Sequence, residues 1–470
     1  MSLSKSIVSL NKLNSNVDTT TGKKLSGGQQ YAFDKYKGGN NVFITGPGGS
    51  GKSELIRDIY NDAKLSKKKI QVCAMTGCAS ILLGCGAKTI HSWSGIGICY
   101  EDIEALTRKI NNNFFLKKIW RAIDILVVDE ISMMSQKIFD ALNSIGKCVR
   151  ECPHKEFGGI QMLFFGDFYQ LPPISLSGVN DDTSTLTSSL FCFESTDWFK
   201  TFDKANHVCL THIFRQTEHL YQTILNQIRV GEIDKASEEV MMNKVKNAKT
   251  QIKKDIYTKI VPTRKSADFI NLQSMTLLTG TEHTFTLLYD NRPDDKKPPT
   301  PVQIEYELKR MRSSIICDDT IKLKIGANVM CIVNINSELS NSAMLLCNGS
   351  QGVVDRFDIR GFPVVKFNNG VVRSMTPHSW QSDNIKGIGI TQVPLILSWA
   401  ITIHKSQGSS LDNVDVDVGA EIFEYGQTYV ALSRVRSLDG LILSSFDYKK
   451  IKVHKKVKDF YNDIKTPVVQ

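Results

Sequence analysis

The sequence predicts an α/β protein with two open parallel sheets, the second interrupted by a β-rich module. Three observations carry this prediction. Between Leu25 and about Phe199 the apolar runs NVFIT, IQVCAMT, IDILVVD and IQMLFFGD alternate with helical stretches, each bounded by glycine or a polar turn. Near-continuous apolar strands separated by helices belong in a parallel sheet covered on both faces. A glycine-rich loop, GPGGSGKS, follows the first run directly. A second series starts near Ala205, with a helical stretch through Arg229, the strand YTKIVPT and, much later, LILSWAITI, VDVDVG and LILSSF.

In chain order, residues 1–24 are rich in Ser, Asn, Thr and Lys without periodicity and read as a flexible tail. Residues 25–204 make the first α/β domain and residues 205–470 the second. The material between the pieces of the second domain differs in character. NRPDDKKPPTP is a proline- and charge-rich loop, and the later short runs are joined by RGFP and NNG turns. That is the pattern of hairpins in a small barrel, so a β-barrel-like module is expected at about 281–395.

The loop Gly46, Pro47, Gly48, Gly49, Ser50, Gly51, Lys52, Ser53 has the spacing G-x-x-x-x-G-K-S between a strand and a helical run, ELIRDIYNDAKL. Glycines let the backbone curl so that its N–H groups face an anion, and the helix adds its positive dipole end. Lys52 reaches the β- and γ-phosphates and the Ser53 hydroxyl ligates Mg²⁺. The chain is therefore expected to be a P-loop NTPase.

IDILVVDEISMM ends a buried strand with Asp129 and Glu130, at the sheet edge where ligands bind. Asp129 is expected to hold Mg²⁺ and Glu130 to take the proton from the attacking water. FFGDFYQLPP repeats the geometry, with Asp167 and Gln170 before a proline-stiffened loop; a glutamine there can bond the γ-phosphate or water. Two arginines, Arg215 in THIFRQ and Arg434 in YVALSRVRS, lie in the second half. Each alone also fits a surface ion pair. Supplied across a cleft, they stabilise the charge of a phosphoryl-transfer transition state. Gln29, in LSGGQQ, offers the donor and acceptor that match the adenine edge.

Length and composition bound the rest. A chain of 470 residues with 41% hydrophobic and 23% charged content is ordinary globular material of about two to four domains. Its net charge of +10 favours a polyanionic partner over a membrane. No apolar run approaches the roughly 18 residues that span a bilayer, and no signal-type stretch opens the sequence. With eleven cysteines, an odd number, and no C-x-x-C pair, the reading is an intracellular protein without a metal cluster.

The ordered series LSGGQ, GPGGSGKS, TGCASILLGCGAKTIHSWSGIG, LVVDEISMM, EFGGIQMLFFGDFYQLPPI, FRQ, ITIHKSQGSSLDNV and YVALSRVRSLDGL resembles the motif set of superfamily-one helicases. In detail it is similar to the Pif (petite integration frequency) family, related to the RecD and Dda helicases. The resemblance runs from Leu25 to about Ser445. It implies two RecA-like motor domains with ATP and Mg²⁺ in the cleft and single-stranded DNA across their tops.

Motif by motif, the resemblance makes Gln29 the adenine reader, Lys52 and Ser53 the phosphate and Mg²⁺ ligands, and Asp129 with Glu130 the metal and water pair. Gln170 becomes the γ-phosphate sensor, and Arg215 and Arg434 the arginine fingers. The segments of Thr76, His91 and Trp93, and of His404, Lys405 and Ser406, become strand-binding motifs. Trp93 or His91 offers a stacking face for bases, with a core position as the other reading of Trp93. A wedge is expected at about 95–118. Arg264 stands where asparagine is usual, Ser410 replaces a threonine and Glu156 a proline.

The resemblance implies an ATP-driven 5′-to-3′ DNA helicase, a monomeric motor acting on single strands and on forked or tailed duplexes. Two rival readings remain: the motor subunit of a recombination nuclease, and an ATP-gated single-strand clamp that remodels nucleoprotein without unwinding.

Overall fold

The computed structural model describes residues 25–97, 99, 101–173, 191–251, 258–292, 299–315, 317–333, 335–336, 344–346, 349–382, 385–411 and 413–464. The expected tail at 1–24 and most of the proline-rich loop lie outside these residues.

The first sheet has six parallel strands in the order Lys88–Thr89, Ile70–Ala74, Ile125–Asp129, Gln161–Gly166, Val42–Thr45, His207–Cys209. Alternation along each strand splits its side chains between two cores. Val42, Ile44, Val72, Val127 and Phe165 face one core with helices Gly27–Lys37 and Lys52–Leu65. Phe43, Cys73, Leu126, Val128 and Phe164 face the other, with helices Ile103–Asn112 and Gln136–Val149. Both faces are covered, which is why these strands read as unbroken apolar runs.

The sheet departs from the expected division at residue 204. Its sixth strand, His207–Cys209, pairs with Val42–Thr45. The helix Lys455–Asp463 also packs on this sheet, burying Val457 and Phe460 in the same core as Phe43 and Trp198. Trp198 is fully buried there, its indole donating to His207 Nε2 at 3.1 Å and its ring 5.4 Å from Phe43 and 6.0 Å from Phe460.

The second sheet has four parallel strands in the order Ala400–Thr402, Thr258–Val261, Val414–Val418, Leu441–Phe446. Between its first two strands in sequence comes antiparallel material. Five strands run in the order Val372–Ser374, Pro363–Phe367, Gln351–Phe357, Asn328–Cys331, Leu395–Leu397. Three more run in the order His378–Gln381, Ile388–Gln392, Leu288–Asn291. The RGFP and NNG turns do close hairpins, with Gly361 and Gly370 at φ 82° and 85°. The run LILSWAITI divides: Leu395–Leu397 joins the five-stranded sheet and Ala400–Thr402 the parallel one.

The segment expected as a wedge contains Ile103–Asn112 and the start of Phe114–Ala122. Leu106 and Ile110 anchor it in the core, while Phe114 and Phe115 stand exposed at the corner that Asn113 caps. Among the described residues no helix is long and apolar enough to cross a membrane.

Trp198 binds strand, helix and carboxyl-terminal helix together. Trp198→Ala is expected to cost about 3–5 kcal/mol, read as a lowered urea midpoint. Trp198→Phe should lose less, because it keeps an aromatic ring in the core while forfeiting the bond to His207 and part of the indole's packing.

Candidate nucleotide site between the two sheets

The loop Gly46–Gly51 leaves the strand Val42–Thr45 and enters the helix Lys52–Leu65. Gly49 and Gly51 take φ 85° and 82°, and a Cβ at Gly49 would lie 2.4 Å from Arg215 Cβ. No other residue fits where the chain turns left-handed against a neighbour this close. Lys52 Nζ donates to Gly46 O at 2.6 Å and Pro47 O at 3.0 Å. Burial lowers the ammonium from the ordinary lysine range, while Asp167, Glu130 and Asp129 push it back up.

Asp129 ends its strand buried, its Oδ1 accepting from Glu130 N at 2.8 Å. Burial and then the Glu130 charge raise its carboxyl above the usual carboxylate range. Such a group gains from a cation. Glu130 holds φ 56°, unusual for a side chain of its size, and its Oε2 accepts from Gln407 Nε2 at 3.1 Å. Gln170 is buried, and its Oε1 meets no donor among the described residues. The Gln29 side chain closes the capping box of its helix, accepting from Ser26 N at 2.9 Å, and donates to Gly51 O at 3.2 Å.

The second sheet supplies the opposite wall. Arg434 is buried, donating to Val430 O and Ser433 Oγ at 2.9 and 2.8 Å, and a Cβ at Gly48 would lie 3.4 Å from its Nη2. Arg215 Nη1 donates to Ser433 O at 2.8 Å. Burial lowers both guanidiniums from their ordinary value, and the charge of Arg434 lowers Arg215 further. The structure thus brings Gln29, Lys52, Glu130, Arg215 and Arg434 around one loop.

Sequence reasoning missed several residues at this junction. Tyr429 Oη accepts from Gly48 N at 2.8 Å. Arg229 forms a two-toothed pair with Asp167 at 2.8 and 2.9 Å, both side chains nearly or fully buried. Burial alone would lower Arg229, but Asp167, by charge and hydrogen bonds, holds it well above its ordinary value. Tyr461 Oη lies 2.6 Å from Thr45 Oγ1 and accepts from Phe168 N at 3.1 Å. Its ring stacks on Tyr169 at 4.6 Å, and Arg229 sits 4.6 Å over Tyr169. Phe214, half exposed, touches the loop at Gly51. Local pattern gives no sign of these roles, because each partner is remote in sequence.

The expected strand-binding residues divide. Thr76 follows the strand Ile70–Ala74 and caps the next helix through Oγ1 to Ala79 N. A Cβ at Gly408 would lie 3.0 Å from Leu82 Cδ1, so the Thr76 and His404 segments abut. Lys405 is exposed, and His91 and His404 are partly so, both lowered by burial. Two expectations are corrected. Trp93 is 4% exposed and packs on Trp120 at 4.8 Å, so it offers no stacking face. Ser406 is fully buried and donates to Ile403 O at 2.7 Å, so its hydroxyl holds the turn. Arg264, exposed, lies 3.5 Å from Asp268.

Arg229→Met would leave Asp167 buried without its cation. A loss of about 3–5 kcal/mol is expected, read by urea denaturation. Adding Asp167→Asn should recover most of it, since the uncompensated charge goes.

Residues 24–251 match the PIF1-like helicase family model. An ATP-dependent DNA helicase PIF1 of Xenopus laevis is 31% identical over 447 residues, covering 94% of this chain and 64% of that protein. The chain thus spans just under two thirds of that relative's length. The crystal structure of a Candida albicans Pif1 helicase superposes with a TM-score of 0.74 at 29% identity, covering 94% of this chain and 100% of that one. A Bacteroides Pif1 helicase structure gives 0.64 at 28%, covering 95% and 99%. With the ordered motifs, two parallel sheets of RecA-like kind and arginines facing the loop across the cleft, this chain is similar to the PIF1-like helicases over nearly its whole length.

Proposed function

We propose that the chain is an ATP-dependent DNA helicase that moves 5′ to 3′ along a single strand and separates the duplex ahead of it. The observation that carries this reading is the meeting of Arg215 and Arg434, from the side of the second sheet, with the phosphate loop of the first. A site divided between two sheets changes when the cleft opens or closes, as a motor requires. The Bacteroides relative was solved with ADP-AlF3 and single-stranded DNA, which supports the same ligands here. The polarity rests on the motifs FGGIQMLFFGDFYQLPP and ITIHKSQGSS.

In this reading Lys52 exchanges its contacts with Gly46 O and Pro47 O for β- and γ-phosphoryl oxygens. Glu130, held by Gln407, takes the proton from the attacking water, and Gln170 orients that water with its unpaired amide oxygen. Gln29 and Phe214 border the base. Ser53 and Asp129 offer a hydroxyl and a carboxylate, the hard oxygen donors that suit Mg²⁺. When bound, the metal neutralises charge on the phosphoryl oxygens. Gln407 follows the His404–Lys405 segment directly, so a strand gripped there pulls on the group that orients Glu130. Thr76, His91, His404 and Lys405 line the path of the strand, and the Phe114–Phe115 corner is the wedge. The first motor domain comprises residues from 25 to about 210 together with the helix Lys455–Asp463. The second holds the remainder.

Lys52→Ala should weaken ATP binding, and Glu130→Gln should bind ATP without turning it over. Alanine at Arg215 or Arg434 should lower kcat on the order of 10³-fold with little change in nucleotide binding. Steady-state hydrolysis with and without single-stranded DNA checks all four; normal turnover in both arginine variants would place them outside the chemistry.

Duplexes identical except for tail polarity test the function itself. The 5′-tailed substrate should open with ATP and Mg²⁺, and not after chelation of the metal. The 3′-tailed one should open little. Binding to either should fall steeply with salt, because phosphate contacts release counterions. DNA-stimulated hydrolysis without strand separation would instead identify an ATP-gated clamp.

A further inference from the structure

The β-rich module carries a groove of about 770 Å³ away from the nucleotide cleft, between the strand Leu288–Asn291 and the helix Pro301–Ser314. The strand is the edge of its three-stranded sheet. Its register sets Tyr289 opposite Ile390 and Asn291 opposite Ile388, while Arg292 N donates to Gly387 O. In an antiparallel ladder, pairs that exchange bonds alternate with pairs that do not. Arg292 bonds inward, so Asp290 and Leu288 bond inward as well. The N–H and C=O groups of Tyr289 and Asn291 therefore point away from the sheet. Those two residues line the groove, and no backbone partner for them occurs among the described residues. Leu287 N donates the other way, to Asp319 O, and closes one end.

The facing helix presents two ridges at four-residue spacing. The inner one is Ile304 and Leu308, ending in Arg312; the outer one carries Glu305 and Lys309. Arg312 is engaged by Asp319 at 2.5 Å, whereas Lys309 is exposed with no ion-pair partner among the described residues. Leu288 and Tyr289 are 61% and 52% exposed.

A strand edge with no partner among the described residues, beside an apolar helix ridge, has the chemistry of strand addition, in which main-chain bonds give affinity and alternate side chains give selectivity. We propose that this groove binds an extended peptide segment of a partner protein as a fourth strand. Aliphatic residues at alternate positions lie on Ile304 and Leu308, and one carboxylate meets Lys309. Glu305, a turn away on the outer ridge, repels a second carboxylate at its end and so fixes the direction of the charge pattern. The proposal is independent of the nucleotide site.

The probe is the fluorescein-labelled peptide acetyl-Thr-Ile-Thr-Leu-Thr-Glu-amide, titrated by anisotropy against the full chain. Saturable binding below about 1 mM is expected. It should weaken at least tenfold when the isoleucine and leucine, whose N–H groups face Tyr289 and Asn291 in an antiparallel ladder, are N-methylated and can no longer donate. Tyr289→Pro removes only an outward N–H and should give the same loss, whereas Tyr289→Thr keeps the donor and should bind nearly as the parent. Lys309→Glu should reject the peptide and accept one ending in lysine. If Tyr289→Pro melts early, this charge exchange decides the matter alone. Absence of saturation, equal binding of the N-methylated peptide, or displacement by an unlabelled oligonucleotide would overturn the proposal. So would a dimer of the chain that Tyr289→Pro or Lys309→Glu dissolves, since the occupant would then be a second copy.

Discussion

The buried pair of Arg229 and Asp167 is the joint on which the cleft depends. Taking both charges out of water is costly and is offset only by close geometry and further bonds. Here the guanidinium closes on both carboxylate oxygens and lies over Tyr169, whose ring stacks on Tyr461. Tyr461 in turn reaches Thr45, the last residue before the phosphate loop, and the backbone of Phe168. One knot therefore fixes the start of that loop and the approach to Gln170. Main-chain elements that would otherwise flank an open crevice are held at bonding distance.

Around this joint the charges are placed with a different logic. Among the described residues neither Arg215 nor Arg434 is paired with a carboxylate; both donate to neutral oxygens of the segment that carries Arg434, at Ser433 and Val430. Their guanidiniums are oriented by neutral oxygens, and Lys52 likewise donates to two carbonyls. Preorganised cations in a desolvated cleft act strongly on an anion that develops charge there. Asp129 and Glu130 supply the opposing sign from a single strand end, close enough that the Glu130 charge adds to burial in raising the Asp129 carboxyl.

What was legible in the sequence follows from what local pattern can encode. Strands with two buried faces announce themselves as apolar runs, and the phosphate loop by its glycines. The edge strands Lys88–Thr89 and His207–Cys209 are too short and too mixed to register, which displaced the expected end of the first domain. LILSWAITI reads as one strand because both halves are apolar, yet the chain turns at Ser398 and Trp399 to serve two sheets. Residues joined through space were invisible: Arg229 and Asp167 are 62 positions apart, Tyr461 and Thr45 416. Trp93 shows a further limit. An aromatic beside a histidine suits a base platform or a core equally, and only Trp120 across the interior decides.

The helix Lys455–Asp463 has a consequence for how the molecule is made. Its Val457 and Phe460 cover the face of the first sheet formed by Phe43, Phe168 and Trp198. That face is complete in the nascent chain by Thr201, about 250 residues before its lid is synthesised. Domains usually fold in order as they emerge; here the first sheet must wait with an apolar surface uncovered until the second has been translated. Emergence and closure are coupled, so an arrested or truncated chain ending before Lys455 would present a sticky half-core, whereas a finished one seals it with the same tyrosine that sets the nucleotide loop.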